Sequence, residues 1–394
     1  MIFVDFTMTF KYQLIFLGDI ANPACEAIKR RFHEKVLEMG LLEDAFLEIY
    51  ASNFEEKYQN KQPSFVYYFG NKDHNDQDVG ILEVLMKNGD AIIPVFFHAG
   101  AFNDEIPKLV WKMNGKVYSE EKIDAFVNYA LEALRLMRQN RKLFISYRRN
   151  NSIAVANQLF DALVRCNYDV FLDTYSINAA KNFQEELNHR LSDCDILIQL
   201  YTKDFKASEW CLEEITAANQ KQIGVVELIW PDMELDIHNQ LCSPIQLSTN
   251  LFKSDFADPH TTLTDIAVEE IIHTVESVRA RNMAARQDGL VGEFIVEARK
   301  QGRTLVQEYK YLVERKENNE LNVFIPAIGV PQSYDCFESL NYRYLLSNPN
   351  AKLYLIYDDL RIKRRWIEHL EWLNNFLEVQ TIKKKEFAQW LQNK

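Results

Sequence analysis

The chain has 394 residues, 47% of them hydrophobic, with only 12 glycines and 10 prolines and a net charge of −12. That length exceeds one ordinary core and predicts about two or three domains, while the composition excludes long disordered linkers. The acidic balance argues against a nucleic-acid partner, which usually requires a basic footprint, and no apolar run approaches the ~18 residues of a membrane span.

Residues 1–140 alternate short apolar strands with amphipathic helices. The first ten residues are partly apolar but short, with Asp5 among them and no cleavage-like site, so they are expected to form a strand and not a signal peptide. Strands are predicted at 12–17, 46–50, 65–69 and 91–97, and helices at 23–39, 79–86 and 121–137.

Residues 141–280 repeat the rhythm. Strands are predicted at 142–147, 168–172, 195–201 and 225–230, with helices at 153–165, 183–191 and 210–218. Such alternation implies a parallel sheet covered on both faces, with ligands gathered beyond the carboxyl ends of its strands. In the first segment Val79 takes the place of Trp210 and Glu83 that of Glu214, which suggests a diverged internal duplication. Residues 281–394 are expected to begin with a helix over 290–316. Strands at 321–325 and 353–357 and helices at 362–376 and 385–391 follow, making a smaller α/β or helix-rich module.

Six scattered cysteines with no CxxC spacing suggest reduced thiols in a cytoplasmic protein, with neither a disulfide frame nor a metal site. The chain has no glycine-rich dinucleotide loop, Walker loop, HExxH or GxSxG. His189 and Cys194 are close in sequence, but nothing favours a nucleophile–base pair over packing.

Several side chains follow predicted strand ends. Arg148 and Arg149 come after the first strand of the middle segment, where guanidinium forks could bind phosphate. Asp173 opens a connection to Phe183 that exceeds the usual ~2–6 residues, and Tyr175 within it is placed to stack on a base. Trp210 and Glu214 lie four residues apart and would share one helical face. The same spacing also suits a core tryptophan with a surface glutamate, and either Glu213 or Glu214 could be the surface acid, with periodicity favouring Glu214 beside the ring. The basic runs at 361–365 and 383–385 read as solvated helix faces, and the 328–333 loop lacks phosphate-loop spacing.

Several ordered stretches carry a resemblance. They are 142–149 (KLFISYRR), 168–173 (YDVFLD), 182–187 (NFQEEL), 192–198 (SDCDILI) and 208–215 (SEWCLEEI). Together they resemble a TIR domain, the Toll/interleukin-1 receptor homology domain, over about a third of the chain. The resemblance implies a flavodoxin-like parallel sheet at 141–280, preceded at 1–140 by a second, non-catalytic TIR-like α/β domain and followed at 281–394 by a module of unassigned role. For enzymatic members of the prokaryotic NAD-consuming type it implies Glu214 as the catalytic carboxylate. Trp210, Arg148, Arg149, Asp173, Tyr175 and Phe183 would then line the NAD+ pocket.

The implied reaction cleaves the nicotinamide–ribose bond of NAD+, leaving ADP-ribose or a cyclic isomer, with NAD+ as substrate and no further cofactor. Self-association through TIR–TIR contacts, an activating partner or ligand for the flanking domains, and a role in bacterial anti-phage defence or cell-death signalling are implied with it. The family also contains non-enzymatic scaffolds, which is the alternative reading. A third is a nucleotide-binding regulator whose site lies within residues 1–140.

Overall fold

The computed structural model describes residues 10–393, except 61, 74–75, 112, 114, 138–139, 173–188, 204–220, 235–241, 309–310, 317–319 and 347. Its strands form three five-stranded sheets. The first contains β1 (Tyr12–Gly18), β2 (Phe46–Tyr50), β3 (Ser64–Phe69), β4 (Ala91–Phe96) and β5 (Lys116–Val117), in the order β2-β1-β3-β4-β5. All its pairings are parallel. Every residue of β1 and β3 is buried, as continuous apolar runs in a two-faced parallel sheet should be.

The second sheet contains β6 (Lys142–Ser146), β7 (Asp169–Leu172), β8 (Ile196–Tyr201), β9 (Gly224–Ile229) and β10 (Ser243–Gln246), again wholly parallel. Its order, β10-β9-β8-β6-β7, is that of the first sheet with the corresponding strands in place. This is the flavodoxin-like arrangement. The sequence did not predict β10, because Pro244 interrupts it; as an edge strand, β10 tolerates the missing N–H.

The third sheet is mixed. β11 (Val306–Glu308), β12 (Tyr311–Arg315) and β13 (Leu321–Ala327) are antiparallel neighbours. β13, β14 (Lys352–Tyr357) and β15 (Val379–Lys383) run parallel.

One 36-residue helix, Asp265–Lys300, serves all three sheets. Its N-cap Thr264 side chain accepts from the Ala267 amide, and Arg299 and Lys300 suit the negative end of its dipole. Ile271, Ile272, Val275 and Val278 pack on the second sheet, Ala280 joins the core of the first, and Leu290, Val291, Phe294 and Ala298 join that of the third. The division expected at 280/281 therefore falls inside a continuous helix. The helix expected over 290–316 instead ends at Lys300: Gly302 takes a positive φ of 70°, and the chain turns into the β11–β12 hairpin.

Buried charge joins these parts. Arg141 pairs with Glu276 of the long helix and lies over the Tyr168 ring, 4.0 Å from its centroid. Among the described residues no helix is long and apolar enough to cross a membrane.

Candidate functional site

β6 leaves the second sheet at Ser146, and the buried Tyr147 turns the chain toward the helix Arg149–Arg165. Arg148 is the N-cap of that helix, with extended backbone at φ −105° and ψ 126°. The Ser152 hydroxyl donates to the Arg148 carbonyl at 2.9 Å, and the Thr202 hydroxyl donates to the Asn151 side-chain oxygen at 3.4 Å. These contacts tie the start of the helix to the end of β8. The arginine loop is thus shorter than the sequence suggests: the helix begins at Arg149, not at Ile153. Its first turn holds no acidic residue, although carboxylates are favoured there and an arginine runs against the dipole. The positive end of the helix dipole suits an incoming anion.

The two faces of this sheet differ. Leu143, Ile145, Ile198, Leu200, Val226 and Leu228 face the helices Arg149–Arg165 and Asp265–Lys300 in one continuous core. On the opposite face Phe144, Leu197 and Val225 are apolar and pack with Leu191 and Cys194. One pleat further toward the carboxyl ends the row turns polar. Ser146 pairs in register with Gln199, and Gln199 with Glu227, giving three buried polar residues across the three central strands.

The Gln199 amide has no hydrogen-bond partner for either its oxygen or its nitrogen among the described residues. An unpartnered buried polar group costs roughly 1–3 kcal/mol, so such a group marks a place where a partner belongs. Gln199 was not singled out in the sequence. The signal was present: one glutamine and one glutamate interrupt two otherwise apolar strands at matching positions.

Other chemistry nearby is inert. Burial pushes the Cys194 thiol well above its usual range, which opposes a thiolate nucleophile. His189 accepts from the Lys363 amide at 3.3 Å and packs against Trp366, so it is engaged with the third sheet's helices. Cys25, Cys166, Cys194, Cys242 and Cys336 are free.

The matching edge of the first sheet is closed by its own bonds. The Gly18 amide donates to Asp78 at 2.9 Å, Asn71 donates to Asp19 at 2.8 Å, and the buried Glu105 accepts from the Phe97 amide at 2.6 Å.

Of the residues singled out in the sequence, Arg148 stands at the carboxyl edge of β6, and Arg149 is the first residue of the helix that follows. Asp173, Tyr175, Phe183, Trp210 and Glu214 lie outside the described residues. Gln199 and its row add a polar floor beside that edge.

A family model described as TIR domain matches residues 143–262. The middle third of the chain is a TIR domain. Among solved structures, one similar chain comes from the TIR domains of the activated Roq1 resistosome directly recognizing the pathogen effector XopQ. The likeness covers 24% of this chain and 59% of that one, at 22% identity and a TM-score of 0.21. Another is a fatty acid ABC transporter substrate-binding protein from Thermomonospora curvata, with 79% of this chain and 90% of that one covered, at 8% identity and a TM-score of 0.21. No curated protein matches the chain.

Proposed function

We propose that the TIR domain is an NAD+ glycohydrolase or cyclase. The observation that carries this reading is the TIR match over 143–262, with Glu214 four residues after Trp210 inside it. The polar edge adds support: Arg148 and the first helical turn offer positive potential for a pyrophosphate, beside the buried Ser146–Gln199–Glu227 row. In this reading Gln199 is left to bond the substrate.

The chemistry is a displacement at the anomeric carbon of the nicotinamide riboside. The C–N bond breaks and its electron pair returns to the pyridinium ring, so nicotinamide leaves neutral and needs no general acid. Positive charge develops on the ribose as in glycoside cleavage, and the Glu214 carboxylate stabilises it most where water is excluded. Water then adds to give ADP-ribose and a proton, or the adenine end of the same molecule adds to give a cyclic isomer. Self-association of TIR domains and a role in defence signalling belong to the same proposal.

The test incubates the full chain with NAD+ at high protein concentration and follows nicotinamide release by chromatography. Glu214→Ala is expected to lower turnover by about a hundredfold or more, and Glu213→Ala to retain it. Equal turnover by wild type and Glu214→Ala would move catalysis to another residue. No release from wild type, even when clustered, would favour the scaffold reading.

A further inference from the structure

In a parallel α/β sheet, ligands collect beyond the carboxyl ends of the strands. In the third sheet that edge is formed by Ile328 and Gly329 after β13 and by Asp358 after β14. It is roofed by two other parts of the chain: Lys221 and Gln222, just before β9, and Arg286, Gly289 and Glu293 of the long helix. Between them lies a cavity of about 100 Å³, room for roughly three waters or one small tetrahedral anion.

Two cations are sunk in its wall. Lys221 is 6% exposed, and its ammonium reaches the Asp358 carbonyl oxygen only at 3.5 Å, long for a hydrogen bond. Arg286 donates to the Cys194 carbonyl at 2.9 Å, and Asp195 lies 3.8 Å from the same nitrogen. Asp195 is already held by Arg279 at 2.8 Å.

The surrounding acids are engaged elsewhere. Glu293 pairs with Lys384 at 2.8 Å, Asp193 with Lys142, and Asp359 with Lys385 at 3.4 Å, while Asp358 accepts from the Leu360 amide at 2.9 Å. Burial pulls the Lys221 ammonium down to about 7 against the pull of Asp358, with Arg286 lowering it further and Asp193 and Asp359 raising it. Burial also lowers the Arg286 guanidinium, which faces Asp195, Arg135, Asp193 and Asp358. His189 is a further titratable neighbour of Lys221.

We propose that this cavity binds a phosphate-bearing anion, held by Lys221 and Arg286 at the junction of the TIR sheet and the C-terminal sheet. A guanidinium fork and an ammonium are a natural pair for phosphate oxygens. Gly289 leaves the helix wall bare beside them; a Cβ there would meet Gln222 at 3.3 Å. The anion is either free phosphate or the phosphate end of a nucleotide. The site is independent of the NAD+ reading.

The test is calorimetric titration of the full chain with inorganic phosphate, AMP and sulfate, with chloride matched for ionic strength. Wild type is expected to bind at least one of them saturably, and Lys221→Met to bind at least about tenfold more weakly. Gly289→Leu, which keeps both cations but fills the space, is expected to lose binding too. Tighter binding of AMP than phosphate assigns a nucleotide; binding of phosphate and sulfate alone assigns the free anion. Sulfate keeps its charge across neutral pH, so its affinity should fall as pH rises past about 7 and Lys221 loses its proton. Lys221→Arg should abolish that fall. Absence of saturable binding for all three anions, or wild-type affinity in both Lys221→Met and Gly289→Leu, would overturn the proposal.

Discussion

Arg279 has no exposed surface, yet its guanidinium reaches three parts of the chain. It bonds Asp195 at the start of β8, donates to the Tyr12 hydroxyl of β1 at 2.6 Å, and donates to the carbonyls of Arg135 and Asn140 at 2.6 and 3.0 Å. A buried charge with this many partners is costly to remove, because the carboxylate and carbonyls it leaves remain buried. Arg279→Met should lower the unfolding free energy by about 3–5 kcal/mol in urea titrations; a loss under about 1 kcal/mol would mean that water replaces the guanidinium.

Lys221 gives the opposite sign. Its folded pKa of about 7 lies below its ordinary 10.5, so the unfolded chain binds the extra proton between those values. Stability is therefore penalised in full below pH 7 and recovers as pH rises toward 10.5. Lys221→Met should stabilise the anion-free protein by on the order of 5 kcal/mol at pH 6, the gain shrinking toward pH 10. A gain that does not change with pH would place the ammonium in water.

At the scale of elements, close approach governs how the first two sheets meet. Gly40 ends the region after the helix Pro23–Glu38 with φ +66°, and a Cβ there would stand 2.0 Å from the Arg165 carbonyl oxygen at the end of the helix Arg149–Arg165. Gly40→Ala should cost about 2 kcal/mol or more, read as a lowered melting temperature; an unchanged melting temperature would show that the two helices can part freely.

The elements easy to read in the sequence are those whose burial is the same along their whole length. β1, β3, β8 and β9 are apolar runs buried on both faces, and their limits lie within one residue of those expected. Asp265–Lys300 was misread because its buried stripe shifts from one sheet to the next, so no single face repeats. β15 escaped because Gln380 and Thr381 mask a short strand that only pairing with β14 defines. At the site, Arg148 was legible from its place after an apolar strand. Gln199 was not, because a lone polar residue in a buried strand gains meaning only once Ser146 and Glu227 are seen beside it in register.

On the scale of the whole molecule, two sheets of one strand order are bound to a third by a single helix, and only the second carries the TIR match. Among the described residues, the first sheet's edge is bonded by its own side chains, while the second holds the Gln199 amide without a partner and an acid-free helix start. If the proposed activity resides in the middle unit, a fragment ending near Asn140 should not bind NAD+ in equilibrium dialysis. The most direct test of the central claim follows NAD+ by proton NMR with the full chain and with Glu214→Gln, which keeps the side chain's shape and removes its charge. Free nicotinamide signals should grow with wild type and form about a hundredfold or more slowly with Glu214→Gln. Equal rates for the two proteins, or no nicotinamide from clustered wild type, would contradict it.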